Sequence, residues 1–393
     1  MADRRICAKP EWPRSKKRGT GTRRRYAVAR ARELDRKTRT EASERTTVTR
    51  VSSQLKAASL LASACVFFFS CGHGNQSAVE PTGLQAEHLS FLWWIFLAIT
   101  AAVYVVVMVI LVAAFFRTQR AAAGDEADLS PDPSREKRAS SVVKAAVAVT
   151  VLTMFALMLV SFRTGRALDT LSQAQTPLEI KVTGQQWWWQ IEYKDPTPSN
   201  MVTTANEIHI PIGRPIKLEL VSHDVIHSFW APNFHGKKDL IPNYPTTLFF
   251  RADEPGVYWG QCAEFCGFEH AKMRFMVVAE PQEDFERWYA ASQQPAPEPV
   301  TDSQKFGRDI FLKSVCTQCH TIQGTPANGR VGPNLTHVGG KPYIASGSLP
   351  NDRENLAKWI TDPQAIKPGI RMPMNTYSPE ELNALVDYIQ SLK

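Results

Sequence analysis

The sequence predicts a multidomain chain: a transmembrane hairpin of two helices, then an all-β sandwich, then an all-α domain. Three observations predict this. Long uncharged runs occupy 89–116 and 145–162. Short β-rich segments broken by Pro, Gly and Asn follow over 178–283, and the last stretch closes on a capped amphipathic helix. A chain of 393 residues has the length for several separate cores.

Residues 1–56 carry 18 Lys and Arg against 6 Asp and Glu. That surplus of 12 exceeds the chain's total of +8, so the remainder carries a net −4. The body is mildly acidic and implies no nucleic-acid partner. The basic arm has no hydrophobic period and reads as disordered, a tail or start-site extension. Residues 57–71 then form a signal-like apolar segment, LLASACVFFFSC at its end. This matches a bacterial lipoprotein signal with Cys71 as the acylated residue, an ordinary signal peptide, or an uncleaved apolar segment.

At about 1.5 Å per residue, the run 89–116 outspans a hydrocarbon layer of about 30 Å. Trp93 and Trp94 stand near one end, Arg117 and Arg120 just past the other. The run 145–162 is shorter and is flanked by Lys144 and Arg163, completing a hairpin over 89–163. The connector's Arg117, Arg120, Arg135, Lys137, Arg138 and Lys144 place it in the cytoplasm, and the start of the first span and everything after Arg163 outside.

Over 177–288, LEIKVTGQQWWWQIEY, NEIHIPI, PIKLELVS, TTLFFRA, GVYWGQC and MRFMVVA read as strands, with no long helix between them. The Pro-rich stretch over 289–303 reads as an extended linker that holds two modules apart and lets them move. In 304–393, Ser378, Pro379 and Glu381 make a capping box. Leu382, Leu385, Val386, Ile389 and Leu392 then line one helix face.

The stretch QCAEFCGFEHAKMRFM at 261–276 gathers Cys262, Glu264, Cys266, His270 and Met273 on a loop between two strands. Thiolate and thioether favour Cu(I), and imidazole serves both copper oxidation states, so this set points to copper redox work. A single blue-copper site uses one Cys, two His and a weak Met; it leaves Cys262 over. Two thiolates four residues apart can bridge two copper ions, while a Cys262–Cys266 disulfide or a zinc site are the alternatives. The upstream imidazole is best supplied by His227, at the end of a preceding strand, with His209, His223 and His235 as rivals by spacing.

The run Cys316-Thr-Gln-Cys319-His320 is the attachment signature of c-type haem, two thioethers and a proximal His. With KFGRDIFLKSV before it, GPNL at 332–335 and Met372-Pro373, the domain resembles small class I cytochromes c. The resemblance implies that Pro333 buttresses His320 and that Met372 is the sixth ligand, with Met374 its rival.

SHDVIHSFWAP at 222–232 together with Cys-x-Glu-x-Cys-x-x-x-His-x-x-Met resembles subunit II of haem-copper cytochrome c oxidases, over about 89–285. The family implies a cupredoxin-like domain carrying a dinuclear copper centre, Cu(A). Cys262 and Cys266 would bridge, and His227 and His270 would be terminal. Met273 would bind one copper and the Glu264 carbonyl the other, with the Glu264 side chain toward a magnesium site shared with the catalytic subunit. GQQWWWQIEY also resembles the family, with Trp187 receiving electrons; the family usually has His where this chain has Gln185. Packing is the better role for Trp188 and Trp189, since neighbouring strand residues face opposite ways.

Together these readings imply a caa-type oxidase subunit II. An external donor, a cytochrome or quinol–cytochrome reductase, would reduce the haem. Electrons would pass through Cu(A) to a separate catalytic subunit I that reduces dioxygen and pumps protons. A Cu(A) subunit of a nitric oxide reductase and a non-enzymatic periplasmic copper and haem electron carrier are the alternatives.

Overall fold

The computed structural model describes residues 74–121, 130, 132–174 and 176–393. The basic arm, the signal-like segment and Cys71 lie outside the described residues.

Helix α1 (Leu84–Ala121) and helix α2 (Pro133–Leu168) are each long and apolar enough to cross a membrane. Both run beyond the apolar stretches read from the sequence. Hydropathy marks only the hydrocarbon-facing part, whereas backbone hydrogen bonding continues into the charged flanks. Asp132 caps α2, accepting from the backbone of Ser134 and Arg135, with Pro133 at its first position. Side chains such as Val105, Leu111, Leu152 and Phe155 are exposed, as lipid-facing residues are. The segment ahead of α1 is tied to the β-domain: Trp259 N donates to Asn75 O at 2.7 Å and Asn233 Nδ2 to Glu80 O at 2.9 Å.

The β-domain is a sandwich of two five-stranded sheets. One runs in the order β3 (Val202–Ala205), β2 (Trp188–Tyr193), β1 (Leu178–Gln185), β5 (Ile216–Ser222), β8 (Thr246–Phe250). The other runs β4 (Glu207–Pro211), β10 (Arg274–Glu280), β9 (Gly256–Cys262), β6 (His227–Trp230), β7 (Lys238–Leu240). Strands β1 and β5 alternate buried and less buried residues over much of their length, so Ile180, Val182, Leu218 and Leu220 point inward. Tyr193, Trp189, Phe229 and Phe275 fill the space between the sheets, and each buried aromatic contributes about 1.5–3 kcal/mol.

Three features differ from the sequence reading. The long run from Leu178 to Tyr193 is a hairpin, not one strand; its turn carries no Gly or Asn and is held by Asp224, whose Oδ2 accepts from Gln186 N at 2.7 Å. His227 opens a strand of its own instead of ending the one before it. Helix α3 (Gln282–Ser292) follows the last strand and stacks Trp288 on His209 with ring centroids 4.0 Å apart.

The C-terminal domain packs α4 (Asp302–Lys313) against the terminal helix (Pro379–Ser391), with a short turn of helix at Cys316–Cys319 and a helix at Arg353–Thr361 between them. The Ser378 capping box forms as its sequence requires, and Leu385, Val386, Ile389 and Leu392 are buried. Gly307 permits the close helix crossing, since a Cβ there would lie 2.0 Å from the Ala384 carbonyl oxygen. A two-residue hairpin, Tyr343–Ile344 with Leu349–Pro350, is a β element that the all-α expectation omitted.

The linker does not hold the two modules apart. Ala296 N donates to Gln323 O at 2.9 Å and Arg308 pairs with Glu298 at 2.8 Å, so much of it is packed onto the C-terminal domain. The domains are docked: Lys341 Nζ donates to Ala205 O at 2.8 Å, Ser346 Oγ to Arg274 O at 2.9 Å, and Tyr343 stacks edge-on against Trp259. Pro-rich composition reports local stiffness but says nothing of which surfaces meet.

Candidate metal and haem centres

Cys262 ends β9 and Met273 immediately precedes β10, so two adjacent antiparallel strands hold both ends of the sulfur-rich loop. Strand β6 pairs with β9 in the same sheet and brings in His227. The ligating atoms of His227, Cys262 and Cys266 all lie within 4.8 Å of one another, and all three residues are buried. Cys262 Sγ is 3.9 Å from His227 Nδ1 and 3.2 Å from the Glu264 carbonyl oxygen. Cys266 Sγ is 3.6 Å from His270 Nδ1 and 3.7 Å from Met273 Sδ.

Both cysteines are free thiols. A hydrogen bond from Cys266 lowers the Cys262 pKa to about 3, and the same bond raises Cys266. The bond thus favours the thiolate at Cys262, and a cation would favour it at both sulfurs. His227 is oriented by Asp224, whose Oδ1 is 2.8 Å from Nε2. Burial opposes a charge on this imidazole, but the bonds to Asp224 and Cys262 outweigh it and raise its pKa. Asp224 is a positioning residue the sequence reading missed; its signal is its place three residues before His227 in SHDVIH. Gly184 leaves room for the ring, since a Cβ there would stand 2.8 Å from His227 Cδ2.

Two of the rival histidines are engaged elsewhere. His209 has both ring nitrogens on carboxylates, Glu280 at 2.9 Å and Glu207 at 2.6 Å, and His235 Nδ1 contacts the Gly236 carbonyl. The Glu264 side chain pairs with Lys237 at 3.1 Å, while its carbonyl faces Cys262. The donor set is two thiols, two imidazoles, one thioether and one carbonyl. It fits copper better than zinc, which takes no thioether in ordinary sites.

Trp187 Nε1 donates to the Cys266 carbonyl at 3.0 Å, and Gln186 Nε2 donates to the same oxygen at 2.8 Å. Trp189 is fully buried beneath His227, as a packing role requires. Gln185 is buried and bonds Gln190 at 3.2 Å.

A cavity of about 200 Å³ opens in the C-terminal domain. Cys316, Cys319 and His320 line it together with Met372 and the apolar Leu335, Leu356, Ile360 and Leu385. His320 Nδ1 is 2.7 Å from the Pro333 carbonyl oxygen, which orients the ring and leaves Nε2 for a metal. Burial lowers the His320 pKa, only partly opposed by that bond, which favours the neutral imidazole that can ligate. Gly332 gives the ring its space: a Cβ there would be 2.7 Å from His320 Cε1. Met372 borders the cavity, whereas Met374 is 64% exposed and does not. The apolar lining, with two cysteines and an imidazole converging on it, fits a haem. Trp187 and Trp188 of the β-domain complete the same cavity wall, so a packing role does not exhaust Trp188.

The family profile described as cytochrome c oxidase subunit II, periplasmic domain, matches residues 178–280, and that of cytochrome c matches 305–393. Cytochrome c oxidase subunit 2 of Alkalihalophilus pseudofirmus is 32% identical over 332 residues, covering 84% of this chain and 94% of the relative. This chain belongs to the cytochrome c oxidase subunit 2 family. A second family member, from Bacillus sp. strain PS3, is 35% identical over 62% of this chain and 69% of its own. The periplasmic domain of subunit II of the Bradyrhizobium japonicum oxidase is similar over 30% of this chain and 96% of its own, at 29% identity and a TM-score of 0.29. The chain is thus a subunit II with a fused cytochrome c domain, an electron-transfer component of a haem-copper oxidase complex that includes a subunit I. Membership implies copper in the sandwich and haem in the C-terminal domain.

Proposed function

We propose that this chain is the electron-receiving subunit of a proton-pumping caa-type oxidase. The observation that carries the reading is the shared wall between the two centres. The cavity bearing Cys316, Cys319, His320 and Met372 is closed by Trp187, and Trp187 donates directly to the carbonyl of Cys266. A haem held there would supply one-electron donation, and copper held by the sulfur-rich loop would supply a one-electron acceptor.

Cys262 and Cys266 would bridge the coppers of Cu(A), with His227 and His270 terminal, Met273 on one metal and the Glu264 carbonyl on the other. Cys316 and Cys319 would form the haem thioethers, and His320 and Met372 would fill the axial positions. With both axial positions filled by His320 and Met372, a haem here would supply electron transfer, and dioxygen reduction would fall to subunit I. The Glu264 side chain, paired with Lys237 at 3.1 Å, would supply a carboxylate to a magnesium shared with subunit I.

The cytochrome domain spans 304–393 and the copper domain 177–288, joined by a tether that keeps local concentration high. External cytochrome or quinol–cytochrome reductase donors would reduce the haem. The segment ahead of α1 bonds to the sandwich, so α1 begins and α2 ends on its side; with basic residues in the connector on the opposite side, the sandwich faces the periplasm at the inner membrane.

The test is copper and haem content with electron paramagnetic resonance on the purified full-length chain in its complex. Two coppers per covalent haem, with one unpaired electron shared equally by both copper nuclei, is expected. A signal confined to one copper would reduce the centre to a blue-copper site and overturn the bridging role of Cys262. Dioxygen consumption against nitric oxide consumption by the complex identifies the partner chemistry.

A further inference from the structure

The contact between the two domains centres on one buried lysine. Lys367 is 2% exposed, and its Nζ donates to two carbonyls of the copper domain, Trp187 O at 2.8 Å and Lys272 O at 3.0 Å. Lys272 answers in kind, its Nζ donating to Ile366 O at 2.6 Å, while Glu269 pairs with Lys272 at 3.2 Å and offsets the two like charges. The partners are not arbitrary positions. Trp187 walls the haem cavity and bonds Cys266, and Lys272 precedes Met273.

Lys367 also belongs to the short segment that ends at Met372. Gln364 braces that segment from within, its Nε2 donating to Ile370 O at 2.9 Å and Met372 O at 2.8 Å, its Oε1 accepting from Gly369 N at 2.9 Å. Ile370 packs onto the core of the sandwich itself. One stretch of chain thus reaches the copper domain at Ile366, Lys367 and Ile370 while presenting Met372 to the haem cavity.

We propose that Lys367 is a positioning residue for haem-to-copper electron transfer, a latch that seats the methionine-bearing segment of the cytochrome domain on the backbone at Trp187 and Lys272. This rests on the function proposed above. Buried charge-assisted hydrogen bonds of this kind are the strong ones, and leaving either carbonyl dry and unpaired is costly. Burial lowers the Lys367 pKa to about 7. An amine donates to two carbonyls in either protonation state, so the latch survives that titration.

The test compares K367M and K367R with the wild type in the intact complex, with copper and haem content measured first. Two readouts are taken: the photoinitiated rate of haem-to-copper transfer, and hydrogen exchange at the Arg274 amide, which donates across the interface to Ser346 O at 3.3 Å. Expected for K367M is faster exchange at Arg274 and transfer slowed by roughly tenfold, with K367R recovering most of both. Wild-type exchange and transfer in K367M would overturn the latch, as would slowed transfer with unchanged exchange, which would make Lys367 a purely electrostatic influence. A wild type that binds no copper would sink the proposed function instead, and the Arg274 exchange would still decide whether Lys367 holds the domains together.

Discussion

Trp187 Nε1 donates to the main-chain carbonyl of Cys266 at 3.0 Å, so the ring that walls the cavity of the C-terminal domain is bonded to the residue whose sulfur is proposed to bind copper. Replacing Trp187 by Phe removes that single bond, a loss of about 0.5–1.5 kcal/mol, too small to unfold the sandwich. The expected result is full copper and haem content with slower haem-to-copper transfer, read by flash photolysis. An unchanged rate would remove the ring from the path.

Cys262 is the residue that separates a dinuclear centre from a blue site. Cys262→Ser leaves Cys266, His270 and Met273 together and takes away the thiol next to His227. The variant is expected to lose the equally shared copper hyperfine pattern and to bind at most one copper, as seen by resonance spectroscopy and metal analysis. Retention of the shared pattern would show that Cys262 does not bridge.

The two methionines of Met372-Pro373-Met374 make opposite predictions. Met372 borders the cavity and Met374 faces solvent. Met372→Leu should abolish the methionine-to-iron charge-transfer band and lower the haem reduction potential, because a thioether ligand raises it. Met374→Leu should leave both unchanged. The reverse pattern in redox titration would exchange the two roles.

The sandwich should also respond to pH through His209. Burial opposes its charge, but hydrogen bonds to Glu207 and Glu280 outweigh burial and raise its pKa above 6.5. A raised folded pKa means that this contribution is complete below the unfolded value and is lost as pH rises through the folded one. Thermal unfolding of the copper domain is therefore expected at lower temperature in mildly alkaline than in mildly acidic buffer. His209→Gln, which bonds without charging, should flatten that slope; an equally steep slope in the variant would assign the dependence elsewhere.

Much of the chemistry was legible in the sequence because it is local. Cys262 to Met273, Cys316 to His320 and the Ser378 capping box each lie within one loop or one helical turn, where spacing along the chain sets spacing in space. The apolar runs of the two membrane helices were legible for the same reason, since lipid acts on every residue of the run alike.

What tertiary structure decided was everything that joins distant segments. Spacing left four histidines open, and strand pairing of β6 with β9 is what brings His227 to Cys262. Two methionines two residues apart were equivalent until the loop's bracing by Gln364 turned one toward the cavity. The Pro-rich stretch spoke of separated modules, yet Lys367, whose own sequence context is unremarked, seats one domain on the other. A linear pattern records what each residue prefers next to its neighbours, while a contact between residues 187 and 367 depends on two folded surfaces meeting.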